Sequence, residues 1–291
     1  MNHEQVQQWI GKTRKSEATI SLGIAERMQA SLNRKSTFSL GDSLPPAWHW
    51  LYFHEAVAAD DLGIEGHEAL GHFMPPVDFG VGFGTPAAPR RMWAGGRLQF
   101  LAPLSLGDSV QRVSRIHSIA HKEGRSGNLV FVTVEHRLYR KQHGSFSNSP
   151  AIIEEQDIVY RDPSQQANNN AAQRPTNEAE FSTPYQPDPI LLFRYSALTF
   201  NAHRIHYDGD FCREVEGYPN LVVHGPLIAT LLLDLFYHRF PEKAISSFSY
   251  RSHSPLFLPE AFSVNGKADG SAWAANAAGG LAMSATVGYG G

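Results

Sequence analysis

The sequence predicts an α+β fold made of two related halves, antiparallel sheets with a long buried helix in the second half. Three observations carry this. Two groups of three β-rich runs flank a stretch rich in Gln, Asn and Pro. One strongly apolar helix precedes the second group. A short pattern, Pro-Leu-x-Leu, recurs at Pro103 and Pro255, with Leu104 matching Leu256 and Leu106 matching Leu258 at an offset of 152 residues.

In chain order, Glu4 to Leu32 is compatible with a helix, and a shorter one is expected over Trp48 to Ala59. SVQRVSRIHSIA from Ser109, LVFVTVEHRLYR from Leu129 and AIIEEQDIVYR from Ala151 are β-rich. The first two are joined by the glycine-containing turn HKEGRSGN, so the three read as an antiparallel meander. From Asp162 to Asp188 large aliphatic residues become scarce, which marks a linker. The predicted organisation is an N-terminal domain over 1–162, a linker over 163–185 and a C-terminal domain over 186–291. The apolar helix runs from Gly225 to Phe236 and opens on Gly-Pro, a residue pair suited to a first turn. Leu227, Ile228, Leu231, Leu232 and Leu235 recur at helical spacing, and Leu233 and Phe236 add apolar surface on other sides. A helix of this kind is buried nearly all round. FSVNGKA, GSAWAANA and LAMSATVGY are the strand candidates that follow.

Composition narrows the function. With 291 residues and 42% apolar content, the chain can bury a core without staples. A net charge of −3 gives no basic excess for nucleic acid. Cys212 is the one cysteine, so neither an internal disulfide nor a thiolate-rich metal site is available. The most apolar stretch, Leu221 to Phe236, is broken by His224, Gly225, Pro226 and Asp234 and falls short of the ~20 residues a span needs. No apolar signal segment opens the chain. The expectation is a cytoplasmic protein that binds neither nucleic acid nor membrane.

Several motifs fail on their mechanics. GVGFG at Gly80 lacks the full Gly-x-Gly-x-x-Gly spacing, and Pro86 and Pro89 oppose a following helix. HEALGH, from His67 to His72, misses His-Glu-x-x-His by one residue, and an i, i+5 pair diverges by about 140° on a helix. His203 and His206 form His-x-x-His without a third ligand at an evident spacing, so no metal is expected.

The chemistry is concentrated in LLFRYSALTFNAHRIHYD, Leu191 to Asp208, and NLVVHGPL, Asn220 to Leu227. An imidazole can move a proton both ways near neutrality. An asparagine can orient water but not take its proton. The N-terminus of the apolar helix offers backbone N–H groups to a developing oxyanion. The set suits proton transfer beside a carbonyl, with water added or lost.

These two segments resemble the signature of the MaoC-like hot-dog hydratases. PPAWHW at Pro45, RRMWAGG at Arg90, PLSLGD at Pro103, KEGRSGNLVFVTVEH at Lys122 and EEQDIVYR at Glu154 are similar to one branch of it. That branch holds the type 2 hydroxyacyl-thioester dehydratases and the bacterial itaconyl-CoA and mesaconyl-CoA hydratases. The resemblance implies a double hot-dog fold, two antiparallel sheets each wrapping a helix, with catalysis in the C-terminal copy. It implies His206 as acid/base, Asn201 in place of the broad family's aspartate, and the Gly225 N–H as oxyanion donor. The substrate is then an acyl-CoA, with coenzyme A as part of the substrate, no separate cofactor, and further association into a homodimer. Itaconyl-CoA or mesaconyl-CoA going to citramalyl-CoA is the expected reaction. A fatty 3-hydroxyacyl-thioester dehydratase and a hot-dog acyl-CoA thioesterase are the alternatives, and a non-enzymatic thioester binder is a third. A dicarboxylic acyl group calls for an arginine, because the guanidinium pairs a carboxylate bidentately. Arg91 is the candidate, with Arg194 and Arg204 as rivals and an interdomain ion pair as its structural alternative. Lys122, Arg125, Arg90 and Arg91 are candidates for the CoA phosphates.

Overall fold

The computed structural model describes residues 6–79, 89–124, 127–162, 175 and 178–290. The predicted GVGFG segment, Arg125 and most of the predicted linker lie outside them.

The strands are β1 (Thr13–Thr19), β2 (Arg90–Phe100), β3 (Ser109–Gly124), β4 (Gly127–Gln142), β5 (Ser145–Phe146), β6 (Ile152–Arg161), β7 (Phe181–Tyr185), β8 (Ile245–Ser252), β9 (Phe262–Gly266), β10 (Ser271–Asn276) and β11 (Leu281–Tyr289). The α-helices that lie wholly among the described residues are α1 (Leu22–Ser31), α2 (Pro189–Thr199) and α3 (Gly225–Arg239). One sheet runs β1-β3-β4-β6-β2-β8-β11-β10-β9-β7, with β5 hanging off β4. The order is a palindrome about the β2–β8 pair. β1, β3, β4, β6 and β2 of the first half correspond to β7, β9, β10, β11 and β8 of the second. This is the double hot-dog arrangement.

The recurring Pro-Leu-x-Leu marks the same place in each half. Leu44 N–H donates to Leu104 O at 2.7 Å, and Leu106 N–H to Asp42 O at 2.9 Å. In the second half Val223 N–H donates to Leu256 O at 2.8 Å, and Leu258 N–H to Leu221 O at 3.0 Å. All four leucines of the two patterns are buried.

The halves differ after that shared corner. In the second, the chain passes from Val223 into α3, whose Leu227 to Asp234 and Phe236 are all buried. Each large aliphatic side chain so enclosed contributes about 1.5–3 kcal/mol. In the first, the equivalent position holds a single 3-10 turn, Trp48–Leu51. A buried polar knot replaces the helix there. Glu154 accepts from His49 Nε2 at 2.9 Å, Trp50 Nε1 at 2.8 Å and Gln156 Nε2 at 2.6 Å. Burial alone would raise the Glu154 carboxyl, but the His49 hydrogen bond and charge, with His136 and Gln156, bring it down to about 2. Burial pushes His136, bonded to Ser114 Oγ at 2.8 Å, down to about 4.

The six predicted β-runs became β3, β4, β6, β9, β10 and β11, and the predicted apolar helix became α3. Three expectations are corrected. Glu4 to Leu32 is not one helix: Thr13–Thr19 is the edge strand β1, paired with β3, and it separates the helical residues Val6 and Gln7 from the helix Leu22–Ser31. Trp48 to Ala59 forms a single turn at Trp48–Leu51, then non-helical chain up to another short turn, Ala59–Asp61. The predicted linker ends in β7, which pairs with β9 from Phe181 to Tyr185. No helix among the described residues is long and apolar enough to cross a membrane.

Candidate active site

The candidate residues gather where the start of α3 meets β2 of the other half. Asp188 caps α2 by accepting from Leu191 N–H at 2.7 Å, and Pro189 opens that helix. α2 ends at Phe200 in the left-handed region, and the chain turns sharply through Asn201 into a 3-10 turn, Arg204–His206. Asn201 Oδ1 accepts from His203 N–H at 3.0 Å, fixing that turn. The carboxamide oxygen expected to hold water is thus engaged by the backbone. The Nδ2 group has no hydrogen bond among the described residues and is the free end.

His206 is 6% exposed, and its Nδ1 lies 2.8 Å from Val222 O. A carbonyl oxygen only accepts, so Nδ1 carries the hydrogen and Nε2 keeps its lone pair. Burial pushes His206 down to about 4, so the ring is neutral at pH 7. The result is a neutral imidazole with one nitrogen ready to take a proton.

His206 belongs to a row of rings. His224 stacks on it with centroids 3.6 Å apart and planes at 18°. His203 meets it edge-on at 5.5 Å, and His67 lies 4.5 Å from His203. His224 is fully buried and bonds Ser196 Oγ through Nε2 at 2.8 Å. Burial, with the neighbouring histidines, holds His203 and His224 well below the ordinary histidine value. Among the described residues the only trio with ligand atoms close enough for one cation is His117, Glu135 and Glu155, away from this row. Arg137 and Arg97 already engage its two carboxylates.

Gly225 follows His224 as the first residue of α3. The first N–H groups of a helix have no partner within it. A Cβ on Gly225 would lie 2.9 Å from Trp93 Cε3, so the indole of β2 closes over this backbone. A register shift between Trp93 and Gly95 in the β2–β6 pairing sits beside it, and such bulges re-aim side chains. Trp93 stacks on Tyr250 at 4.3 Å and meets Trp50 edge-on at 5.6 Å. Trp93 therefore links the polar knot of the first half to the helix start of the second.

Arg91 reaches the same cluster from β2. Its charge acts on His67, His203, Glu65 and Tyr160, and it has no hydrogen bond or ion pair among the described residues. Of its rivals, Arg204 is spent on Asp208 at 2.7 Å and lies on the Phe211 ring at 4.2 Å, while Arg194 is exposed on α2. Arg90 pairs with Glu216 at 3.5 Å, and exposed Lys122 lies over the Phe131 ring at 4.7 Å.

The structure thus places Asn201 just before the turn that carries His206, Gly225 next to the His224 ring stacked on His206, and Arg91 within charge range of His203 and His67. Sequence reading passed over His67, Tyr160 and Trp93, all from the first half. The mismatch in HEALGH argues only against zinc, so it leaves His67 without an assignment, and nothing local in sequence ties it to His203. Trp93 stood within the quoted RRMWAGG motif.

Residues 47–258 match the family described as hydroxyacyl-thioester dehydratase type 2. The mesaconyl-C(4)-CoA hydratase of Chloroflexus aurantiacus is 43% identical over 97% of this chain and 97% of its own. Among solved structures, HtdX of Mycobacterium tuberculosis superposes with a TM-score of 0.64 at 18% identity, covering 95% of this chain and 99% of its own. A second protein of that organism, with a double hotdog fold, does so with a TM-score of 0.56 at 12% identity, covering 96% of each chain.

Proposed function

The chain belongs to the hydroxyacyl-thioester dehydratase type 2 family and is a hydro-lyase of acyl-CoA thioesters, and from that premise we propose that it hydrates a short branched dicarboxylic acyl-CoA, mesaconyl-CoA or itaconyl-CoA, to citramalyl-CoA. The observation that carries the chemistry is the His206 tautomer, fixed by Val222 O at 2.8 Å.

In this reading the thioester carbonyl accepts a hydrogen bond from Gly225 N–H at the positive end of α3. Asn201 Nδ2 donates to a water over the β-carbon. His206 Nε2 takes the proton of that water as its oxygen attacks, and the electron pair of the double bond moves towards the carbonyl. His206 then helps return a proton to the α-carbon. No electrons leave the substrate, so no redox cofactor is needed, and coenzyme A enters as part of the substrate. Mesaconyl-CoA with its double bond conjugated to the thioester takes water directly. Itaconyl-CoA linked away from the double bond needs a prior proton shift, which His206 is placed to mediate.

Arg91, whose charge reaches His67 and His203 and which has no hydrogen bond or ion pair among the described residues, is the proposed partner of the free carboxylate. Lys122 and Arg125 remain the proposed contacts of the CoA phosphates. Arg90 is a weaker candidate because Glu216 already pairs with it. Ile190, Phe193, Phe200 and Tyr207 expose large apolar surface on α2 and the turn after it, which supports a homodimer. A cytoplasmic location completes the proposal.

The test is an assay of purified protein with mesaconyl-CoA, itaconyl-CoA, crotonyl-CoA and a long-chain enoyl-CoA, with products read by mass. Addition of one water to the branched dicarboxylic substrates is the expected result. Preference for the long chain would make the enzyme a fatty acyl dehydratase. Release of CoA without hydration would make it a thioesterase.

A further inference from the structure

The first half of the chain contributes more than Arg91 to the site. Arg91 stands directly opposite Tyr160 on the adjoining strand β6. Tyr160 is 1% exposed, and its hydroxyl has no hydrogen-bond partner among the described residues. That hydroxyl feels the charges of Arg91 and Glu65. A buried hydroxyl without a partner is costly, and a ligand that accepts its hydrogen removes the cost.

His67 is held there by the backbone. Arg204 N–H donates to Glu65 O at 2.9 Å, and Arg204 Nη1 to Ile64 O at 3.3 Å. Gly66 has φ +94, and a Cβ there would stand 2.0 Å from Ala202 O. The 63–67 loop therefore touches the turn that carries His203, and only glycine permits the approach. This contact sets the His67 ring 4.5 Å from that of His203.

We propose that Arg91, Tyr160 and His67 form the seat of a substrate carboxylate, and that a proton passes from solvent to His67 when the carboxylate arrives. The proposal rests on the dicarboxylic substrate named above and assigns how it is recognised. The guanidinium offers two parallel N–H donors, the Tyr160 hydroxyl a third and protonated His67 a fourth. Arg91 on β2 and His203 and His206 on the turn after α2 act on the protonation of His67, and Glu65 on the same loop and Tyr160 on β6 feel the charge of the same Arg91. Without ligand, burial and the Arg91 charge hold His67 well below its ordinary value. A carboxylate against Arg91 cancels that repulsion and adds attraction, so the cationic ring becomes the stable form. The Arg91 charge reaches both His67 and His203, and the His67→Gln variant tells which ring takes the proton.

The probes are the saturated C4-thioester of methylsuccinate with coenzyme A, which carries the carboxylate but cannot be hydrated, and butyryl-CoA, which has the same phosphates without it. Calorimetric titration at pH 7 in two buffers of different ionisation enthalpy measures proton uptake. Wild-type protein should prefer the methylsuccinyl thioester and take up about one proton with it and none with butyryl-CoA. His67→Gln should abolish the uptake. Tyr160→Phe should lower the preference for methylsuccinyl-CoA over butyryl-CoA by about tenfold, the worth of one hydrogen bond to a charged group. If wild-type protein hydrates mesaconyl-CoA yet both variants keep the preference and the uptake, the seat is overturned while the substrate stands. Uptake that persists in His67→Gln and vanishes in Glu65→Gln overturns the role of His67. If the wild type binds both thioesters equally, the seat and the dicarboxylic substrate fall together.

Discussion

The imidazole of His224 lies flat on that of His206, 3.6 Å from centroid to centroid, while Val222 O holds the His206 edge at Nδ1. One neighbour fixes the plane of the ring and the other its tautomer. His206→Ala removes the proposed base, so hydration should fall by roughly 10²–10⁴ in a protein that still folds. Turnover at the wild-type rate in that variant would remove His206 from the mechanism. Because burial brings His206 to about 4, the acid limb of kcat/KM in the wild type should lie well below the usual histidine value of about 6.5.

His224 acts through His206. His224→Leu frees one face of the ring and leaves Ser196 Oγ without its 2.8 Å partner. The expected result is a loss of about ten- to a hundredfold in kcat with KM little changed, since small misplacements of a reacting group cost that much. A change confined to thermal stability would make His224 purely structural.

Asn201 separates two roles. Asn201→Asp keeps an oxygen for His203 N–H but turns the Nδ2 donor into an acceptor, so the turn should survive while activity falls if donation to water is the role. Asn201→Ala loses both and should cost about tenfold or more, in line with a lost hydrogen bond. Steady-state rates on the preferred enoyl-CoA decide between them.

Gly225→Ala places a methyl group 2.9 Å from Trp93 Cε3. Either the indole or the start of α3 must move, so kcat should drop by at least about tenfold. Adding Trp93→Leu relieves the clash, and partial recovery in the double variant is the expected sign of coupling. Strict additivity would place the two residues in separate events.

Acid should weaken the fold well above the carboxylate range. His67, His203 and His224 lie well below the ordinary histidine value, and His206 and His136 at about 4, each through burial. Below pH 6.5 these rings take protons in the unfolded chain but not yet in the fold. Their contribution is complete above about 6.5 and is lost as the pH falls towards 4. Glu154, brought to about 2 by His49, gives stability that is present above its ordinary value of 4.5 and fades only below it. The urea midpoint should therefore decline between pH 7 and pH 5, and a flat profile over that range would contradict a set of buried neutral histidines.

Several elements announced themselves locally. β3, β4 and β6 carry β-branched and aromatic residues between clear turns, and α3 carries leucine at helical spacing. β1 did not, because TRKSEAT is a polar edge strand whose burial alternates only between exposed and half-exposed. β2 and β8 join the halves, and their Arg, Gly and Ser content hides the strand pattern. The turn at Trp48–Leu51 was misread because its apolar residues suit a helix, while the Glu154 knot took the place a helix would have filled.

The sequence by itself determined the α+β class, the repeated corner at Pro103 and Pro255, the apolar helix with Gly225 at its head, and the Asn201–His206 segment. These are features of spacing and residue type within a few turns of chain. Tertiary structure alone decided which nitrogen of His206 is free, because that depends on Val222 O, sixteen residues away. It also brought Trp93 onto Gly225 and set His67, Arg91 and Tyr160 beside His203. Those contacts join residues far apart in the chain, and they exist only because the two halves pair through β2 and β8 into one sheet.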